Sequence, residues 1–195
     1  MRISVKRLLS RAILVLPFLG AAASNAHAED PSYLMIGAGS WETLRGYLTQ
    51  PELDLAYRSD YKLWIFKPHA GVLVSKDGDY YGWGGLLTDL YWGKHFVTTL
   101  SSAVGGYGGG GFRLGSHVEF RSGVDFAYRF EDKSRVGVGF YHISNAGITD
   151  RNPGSESLVL EYSYPLGNLF SKNSGSGPAV AKTEFSAPGG YQPAR

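Results

Sequence analysis

The clearest pattern in the chain is an alternation of apolar and polar positions between Val118 and Phe130. Nearly all even positions carry valine, phenylalanine or tyrosine, whereas the odd positions carry glycine, alanine or a charged residue. Because successive side chains point to opposite faces of a strand, this segment predicts a strand with one apolar and one charged face. Similar alternation gives eight candidate strands, at 32–41, 50–58, 62–75, 79–92, 96–106, 116–130, 134–145 and 156–166.

The length and number of these strands favour a membrane barrel over a soluble sandwich. Strands of roughly 9–14 residues are long enough to cross a bilayer at a tilt. An even number of antiparallel strands can close on itself, which leaves no unpaired edge in lipid. The sequence therefore predicts an all-β fold, an eight-stranded antiparallel transmembrane β-barrel of the outer-membrane type, with its apolar face towards lipid.

Composition supports a small barrel. The chain has 27 glycines, which suit tightly curved strands, together with 13 tyrosines and 4 tryptophans. Many of these aromatic residues lie near strand ends, which is typical of girdles at the two membrane interfaces (Tyr33, Trp41, Tyr57, Trp64, Tyr80, Tyr81, Trp83, Tyr91, Trp92, Tyr162 and Tyr164). The inward charges predict an interior ion-pair network rather than a pore (Glu52, Asp54, Arg58, Glu119, Arg121, Asp125 and Arg129).

The connections predict the orientation of the barrel. Those at 59–60, 93–95 and 131–133 are short and polar, whereas most of the others are longer (42–49, 107–115 and 146–155, with a short turn at 76–78). In this class of barrel the short turns face the periplasm. Both chain ends are then periplasmic.

The chain ends lie outside the predicted barrel. Residues 1–28 have the basic start, short apolar stretch and Ala26-His27-Ala28 site of a secretory signal peptide. Its removal takes four of 19 basic residues and none of the 17 acidic ones, which leaves a net charge of −2 and no support for a nucleic-acid partner. The barrel spans 29–170, closing near Phe170, and 171–195 is predicted to be a disordered periplasmic tail.

Three polar residues interrupt the lipid-facing rows of strands seven and eight. The even row of strand seven continues from Phe140 to His142 and Ser144, and Glu156 begins the even row of strand eight. Residues i and i+2 of a strand share a face about 6.6 Å apart. Since these two strands form a hairpin joined by 146–155, the three side chains are expected to meet on the outer wall of the barrel.

A serine, a histidine and a carboxylate together can perform nucleophilic catalysis. The histidine takes the proton of the hydroxyl, and the carboxylate orients the histidine. The spacing alone leaves a second interpretation open, in which His142 and Ser144 are rim residues at headgroup level. The chain has no cysteine, and its other histidines show no ligand spacing, so no metal or other cofactor is predicted.

The segment containing these residues resembles a known family. Phe140-Tyr-His-Ile-Ser-Asn-Ala-Gly147, followed by Asn152-Pro-Gly154, Glu156 and Leu160-Glu-Tyr-Ser-Tyr-Pro165, is similar to the outer-membrane lipid A 3-O-deacylases. The resemblance implies a Ser144 nucleophile, a His142 base and a Glu156 orienting acid. It also implies an oxyanion hole from the Asn152 side chain and the backbone near Gly147, with Asn145 supporting the loop.

The resemblance further implies a serine esterase that releases the 3-O-linked acyl chain of lipid A in the outer leaflet. Lipopolysaccharide and membrane lipid would then be the partners, and no cofactor is required. Two alternatives stay open, a non-catalytic surface barrel used in adhesion or structural support and a lipid acyltransferase. The sequence also leaves open whether the protein forms a homodimer.

Overall fold

The computed structural model describes residues 30–167. The predicted signal peptide, the tail 171–195 and the predicted closing residue Phe170 lie outside the described residues. Within them, no helix is long and apolar enough to cross a membrane.

Eight strands form a single closed sheet in which each strand pairs with its neighbours in the sequence, and β1 pairs with β8. All the pairs are antiparallel, from Tyr33 opposite Arg58 in the first pair to Tyr33 opposite Pro165 in the closing pair. The prediction of an eight-stranded antiparallel barrel is therefore confirmed. The strands are β1 Tyr33–Trp41, β2 Gln50–Arg58, β3 Lys67–Ser75, β4 Tyr80–Trp92, β5 Phe96–Gly108, β6 Val118–Arg129, β7 Arg135–Ser144 and β8 Ser155–Pro165, with a 3₁₀ turn at Gly46–Leu48.

One strand boundary was predicted wrongly. We expected β3 to begin at residue 62, directly after a turn at 59–60, but it begins at Lys67. Leu63 and Phe66 exchange both backbone hydrogen bonds, at 2.7 and 3.1 Å, around a two-residue turn. Trp64 in that turn has a φ of 63°, a left-handed conformation that no strand residue adopts. The connection between β2 and β3 is therefore the eight-residue segment 59–66.

The two faces of the barrel follow the predicted alternation. The even residues of β6, β7 and β8 point outward and expose large apolar side chains such as Phe126, Val138 and Leu160. Their odd neighbours, including Glu119 and Glu161, are buried in the interior. This apolar exterior around a charged interior is the arrangement of a barrel surrounded by lipid.

The interior combines an ion-pair network with an apolar core. Arg58 contacts Asp125 at 2.9 Å and Glu161 at 2.8 Å, and Arg121 contacts Asp54 at 3.1 Å, so the predicted network is confirmed for these pairs. Four aromatic residues that we assigned to the girdles are instead buried inside the barrel: Tyr33, Trp41, Tyr81 and Trp83. They occupy odd positions of β1 and β4, which face inward, and three of them join the apolar core.

The start of the barrel is held by a second buried network. Asp30 accepts hydrogen bonds from Arg129 at 2.7 Å, from Arg135 and from Tyr91. Burial alone would raise the pKa of Asp30, but the two guanidinium groups and the tyrosine outweigh it and hold the pKa below its ordinary value of 3.8. The ionised carboxylate therefore stabilises the folded barrel.

Replacing Asp30 with asparagine should lower the free energy of unfolding by about 3 kcal/mol at pH 7. The buried Arg135 and the partly exposed Arg129 each lose one counter-charge, and Arg135 keeps its pairing with Asp89. A carboxylate with a lowered pKa contributes its stability above the unfolded pKa and loses it as the pH falls through the folded value. The unfolding free energies of the unmodified chain and of Asp30→Asn, measured with urea in phospholipid vesicles, should therefore differ at pH 7. This difference should shrink below about pH 4. The exposed Asp77→Asn is the control. A difference that does not depend on pH would contradict this account.

Candidate active site

His142 and Glu156 form a hydrogen-bonded pair on the outer wall of the barrel. They lie directly opposite each other in the register of β7 and β8, and the outward even rows of these two strands carry one side chain each to the exterior. His142 Nδ1 is 3.1 Å from Glu156 Oε1, with the histidine side chain 45% exposed and the glutamate 18%. The structure thus brings together two of the three residues that the sequence singled out.

Ser144 ends β7, two residues beyond His142 on the same outward row. Because Glu156 engages Nδ1, the Nε2 atom of His142 is left for the serine, which is the division of ring nitrogens used in serine hydrolase triads. Within residues 30–167, the Ser144 hydroxyl and the His142 ring are not hydrogen-bonded. Such contacts commonly tighten only when a substrate is bound.

A tight turn directly follows Ser144. Ile148 N–H donates to Asn145 O at 3.0 Å, and the two central residues, Ala146 and Gly147, have φ values of 52° and 82°. Positive φ at both central positions is the signature of a type I′ turn. The turn reverses the chain at the outer rim and starts the connection 145–154 that leads to Glu156.

Asn145 organises this connection. It is fully buried, and its amide group donates to the carbonyl of Arg151 at 2.9 Å and to the Thr149 hydroxyl at 3.0 Å. Its side-chain oxygen accepts the Gly147 N–H at 3.0 Å, and its own N–H donates to Asn152 Oδ1 at 3.0 Å. Asn145 therefore ties together both ends of the connection through its side chain and its backbone N–H.

These bonds bear on the expected oxyanion donors. The N–H groups of Asn145 and Gly147 are both engaged inside the loop. Ala146, which lies between them, enters neither bond. The Asn152 oxygen is also engaged, which leaves its amide NH₂ as the donor end of that side chain.

A second loop, 42–49, supports the glutamate side of the site. Thr43 N–H donates to the carbonyl of Glu156 at 2.9 Å. Arg45 donates to the carbonyl of Pro153 at 2.6 Å, pairs with Glu42 at 3.0 Å, and stacks 4.6 Å above the Phe112 ring. Burial raises the pKa of Glu42, and the nearby Glu156 carboxylate adds to the effect. Sequence reasoning missed these residues, because no motif connects them to β8.

Gly154 is a further residue whose contribution the sequence did not reveal. Its φ is 70°, and a Cβ built on it would lie 2.9 Å from Cε1 of the His142 ring. The glycine therefore leaves the space in which the imidazole lies. Its place in the Asn-Pro-Gly segment was the one available signal, since such segments favour turns with positive φ.

Gly154→Ala should lower the rate of ester hydrolysis by about 10- to 100-fold, because the added methyl group displaces the imidazole and small displacements of catalytic groups are costly. Gly78→Ala is a matched control. Gly78 also has a positive φ, 84°, but a Cβ there meets no atom within 4 Å. Both variants should lose similar stability in urea, and only the first should lose activity. Equal activities would show that the contact with His142 is unimportant.

The wall around the site is apolar towards the middle of the membrane. Phe140 and Leu158 form the next outward pair along β7 and β8, and Phe120 on β6 lies opposite Ser144. All three side chains are exposed. An acyl chain approaching through the lipid would contact this wall directly.

Three other histidines lie within residues 30–167, each in different surroundings. His69 is buried in the barrel interior, His95 stacks on Tyr128 at the opposite end, and His117 Nδ1 lies 3.3 Å from the carbonyl of Tyr107. Among residues 30–167, no three histidine, aspartate or glutamate side chains are grouped as metal ligands would be.

Comparison with known proteins gives concordant matches. The family model for lipid A 3-O-deacylase (PagL) matches residues 33–165. The lipid A deacylase PagL of Bordetella bronchiseptica is 35% identical over 52 residues, which cover 27% of this chain and 29% of that protein. The match thus spans less than a third of this relative.

Two solved structures share the fold. The crystal structure of the outer membrane enzyme PagL has a TM-score of 0.55 at 19% identity, covering 68% of this chain and 99% of that one. A de novo designed transmembrane β-barrel has a TM-score of 0.53 at 6% identity, covering 72% of this chain and 98% of the design. At these identities the likeness concerns the barrel alone.

Proposed function

The chain belongs to the lipid A 3-O-deacylase family, and we propose that it is a serine esterase that hydrolyses the 3-O-linked acyl ester of lipid A. The observation that carries the proposal is the His142–Glu156 hydrogen bond on the outer wall of the barrel, two residues from Ser144. A hydrogen-bonded imidazole and carboxylate on a lipid-facing surface are energetically costly, and residues of this kind in a membrane mark a functional site.

The first half of the reaction uses all three residues. Ser144 Oγ attacks the ester carbonyl carbon while His142 Nε2 accepts the hydroxyl proton. Glu156 holds the imidazole through Nδ1 and stabilises the positive charge that forms on the ring. His142 then returns the proton to the sugar oxygen as the carbon–oxygen bond breaks. The products are deacylated lipid A and an acyl ester on Ser144.

The tetrahedral intermediate needs donors for its oxyanion. We assign this role to the Asn152 amide NH₂ and the Ala146 N–H, which the loop bonds leave disengaged and which flank the end of β7. Preorganised donors of this kind supply a large part of the rate enhancement in acyl transfer. In the second half-reaction, His142 takes a proton from water as the water attacks the acyl ester, and it returns that proton to Ser144 Oγ as the fatty acid leaves.

The position of the site suits a substrate that stays in the membrane. The hydroxyl and imidazole lie at the rim where the apolar wall of β7 and β8 ends, so the acyl chain can remain in lipid while the ester reaches Ser144. We propose that this rim faces outward, where lipid A lies, and that both chain ends face the periplasm. On average the connections at this end (42–49, 76–79, 109–117 and 145–154) are longer than those at the other end (59–66, 93–95 and 130–134), in keeping with the usual asymmetry.

Mass spectrometry of lipid A tests the function. The purified chain, in mixed micelles with lipid A in H₂¹⁸O, should remove one 3-hydroxyacyl group from the 3-position and release a fatty acid carrying one ¹⁸O. An unchanged lipid A mass would contradict the proposal. Appearance of the acyl group on a second lipid, without ¹⁸O, would identify an acyltransferase instead.

A further inference from the structure

The connection between β2 and β3 carries an unusual apolar tip at the end of the barrel opposite the candidate active site. Its base is fixed near the start of β1, where Ser32 Oγ donates to Asp60 Oδ1 at 2.8 Å and accepts the Asp60 N–H at 3.1 Å. Beyond this point the side chains of Tyr61 and Trp64 are 64% and 80% exposed. Leu63, Ile65 and Phe66 are also exposed, so nearly the whole segment 61–66 presents apolar surface.

The turn holds its largest side chain, Trp64, in an exposed position on a strained backbone. A two-residue hairpin turn normally uses glycine or asparagine where φ is positive. Here Trp64 occupies that position with a φ of 63°. Its ring makes an edge contact with Phe66, 6.2 Å between centroids, and otherwise faces outward. A bulky residue in a strained position at an exposed tip is expected where the side chain has a partner.

The hairpin continues the lipid-facing surface of the barrel. The outward row of β3 runs through Val74, Val72 and Ala70 to Pro68, and Phe66 is the next residue in this row. A neighbouring surface at the same end has aromatic side chains in mutual contact, one pair stacked and two edge-to-face, with ring centroids 5.0–5.6 Å apart (Phe96, Phe126, Tyr128 and Phe130). Aromatic belts of this kind mark the level of the lipid headgroups.

The register places the tip at membrane depth. Lys67 pairs with Leu87, and β4 then continues five residues to Trp92, which lies in the aromatic belt beside Phe96. At about 3.3 Å per residue, Trp92 is roughly 17 Å beyond Leu87 along the strand. Trp64 is three residues beyond Lys67, so it can extend only roughly 10 Å in this direction. The tip therefore stays within the depth that the belt defines.

We propose that the hairpin 59–66 lies in the boundary between headgroups and acyl chains of a phospholipid leaflet and anchors this end of the barrel. Trp64 and Tyr61 supply the aromatic rings that favour this boundary, and Ile65 and Phe66 supply apolar area. The exposed Lys62 can extend its amine towards the phosphate groups. The partner is the glycerophospholipid bilayer itself, and the inference does not depend on the proposed esterase activity.

The absence of cysteine from the chain allows a direct test of depth. A nitroxide label on Ile65→Cys, in the full-length barrel reconstituted into phosphatidylcholine vesicles, is compared with labels on Val72→Cys and Asp77→Cys. Val72 lies on the lipid-facing wall and Asp77 in an exposed loop. The ratio of oxygen to nickel-chelate accessibility at position 65 should be several-fold above that at position 77. A ratio equal to that at position 77 would overturn the proposal and favour a periplasmic protein as the partner.

A second variant separates lipid binding from turn strain. Asparagine adopts positive φ more readily than tryptophan, so Trp64→Asn should not weaken the turn itself. It should nevertheless lower the urea midpoint in phosphatidylcholine vesicles, whereas Trp64→Tyr, which keeps an interfacial ring, should change it less. A midpoint for Trp64→Asn that equals or exceeds that of the unmodified chain would overturn the proposal.

Discussion

Replacing Ser144 with alanine is expected to lower the release of 3-hydroxy fatty acid from lipid A by at least about 10⁴-fold. Without the hydroxyl no acyl-enzyme can form, and the residual rate would come only from binding and from the oxyanion donors. The side chain lies at the end of β7 on the exterior, so its loss should leave the barrel intact. Mass spectrometry of lipid A measures the reaction, and the heat-dependent gel shift of the barrel reports folding.

Two further variants make this result specific. Ser102→Ala, which removes an outward-facing serine of β5 instead, should keep full activity. The double variant His142→Ala/Ser144→Ala should be no slower than Ser144→Ala alone, because residues that act as a unit give non-additive losses. Retained hydrolysis in Ser144→Ala, with a folded barrel, would show that another group attacks the ester.

The fold was largely predictable because the two faces of a lipid-embedded strand differ so strongly. A shift of one residue would place Glu119 or Glu161 in lipid, so the register is fixed by a large energetic penalty. The same alternation predicted that His142, Ser144 and Glu156 share one face of a hairpin. The sequence thus placed the three candidate residues on one outward face as soon as β7 and β8 were recognised as neighbours.

What the sequence did not reveal depends on contacts between distant segments. Arg45 bridges Glu42, Phe112 and Pro153, and no local pattern connects these loops. Trp41 was assigned to a girdle by residue type, although its parity in β1 places it in the core, where it stacks on Tyr107. The start of β3 was missed because the apolar residues 63–66 continue a strand-like pattern through a turn.

Replacing Glu156 with glutamine should reduce hydrolysis by about 10³- to 10⁴-fold while leaving the barrel and the geometry of the site nearly unchanged. The glutamine is almost the same size and can still meet His142 Nδ1, which lies 3.1 Å from the carboxylate in this structure. It carries no negative charge, however, and so cannot stabilise the imidazolium that forms as Ser144 loses its proton. A loss of this size would therefore measure the charge of Glu156 rather than its shape.

The control is Glu131→Gln, which removes an exposed carboxylate at the opposite end and should leave the rate unchanged. In the Ser144→Ala background, Glu156→Gln should cause no further loss, since no proton then moves to His142. If Glu156→Gln alone kept nearly full activity, Glu156 would only position the ring, and the charge needed at His142 would have to come from elsewhere. The buried Glu42 interacts electrostatically with Glu156, but its raised pKa makes it the poorer source of negative charge.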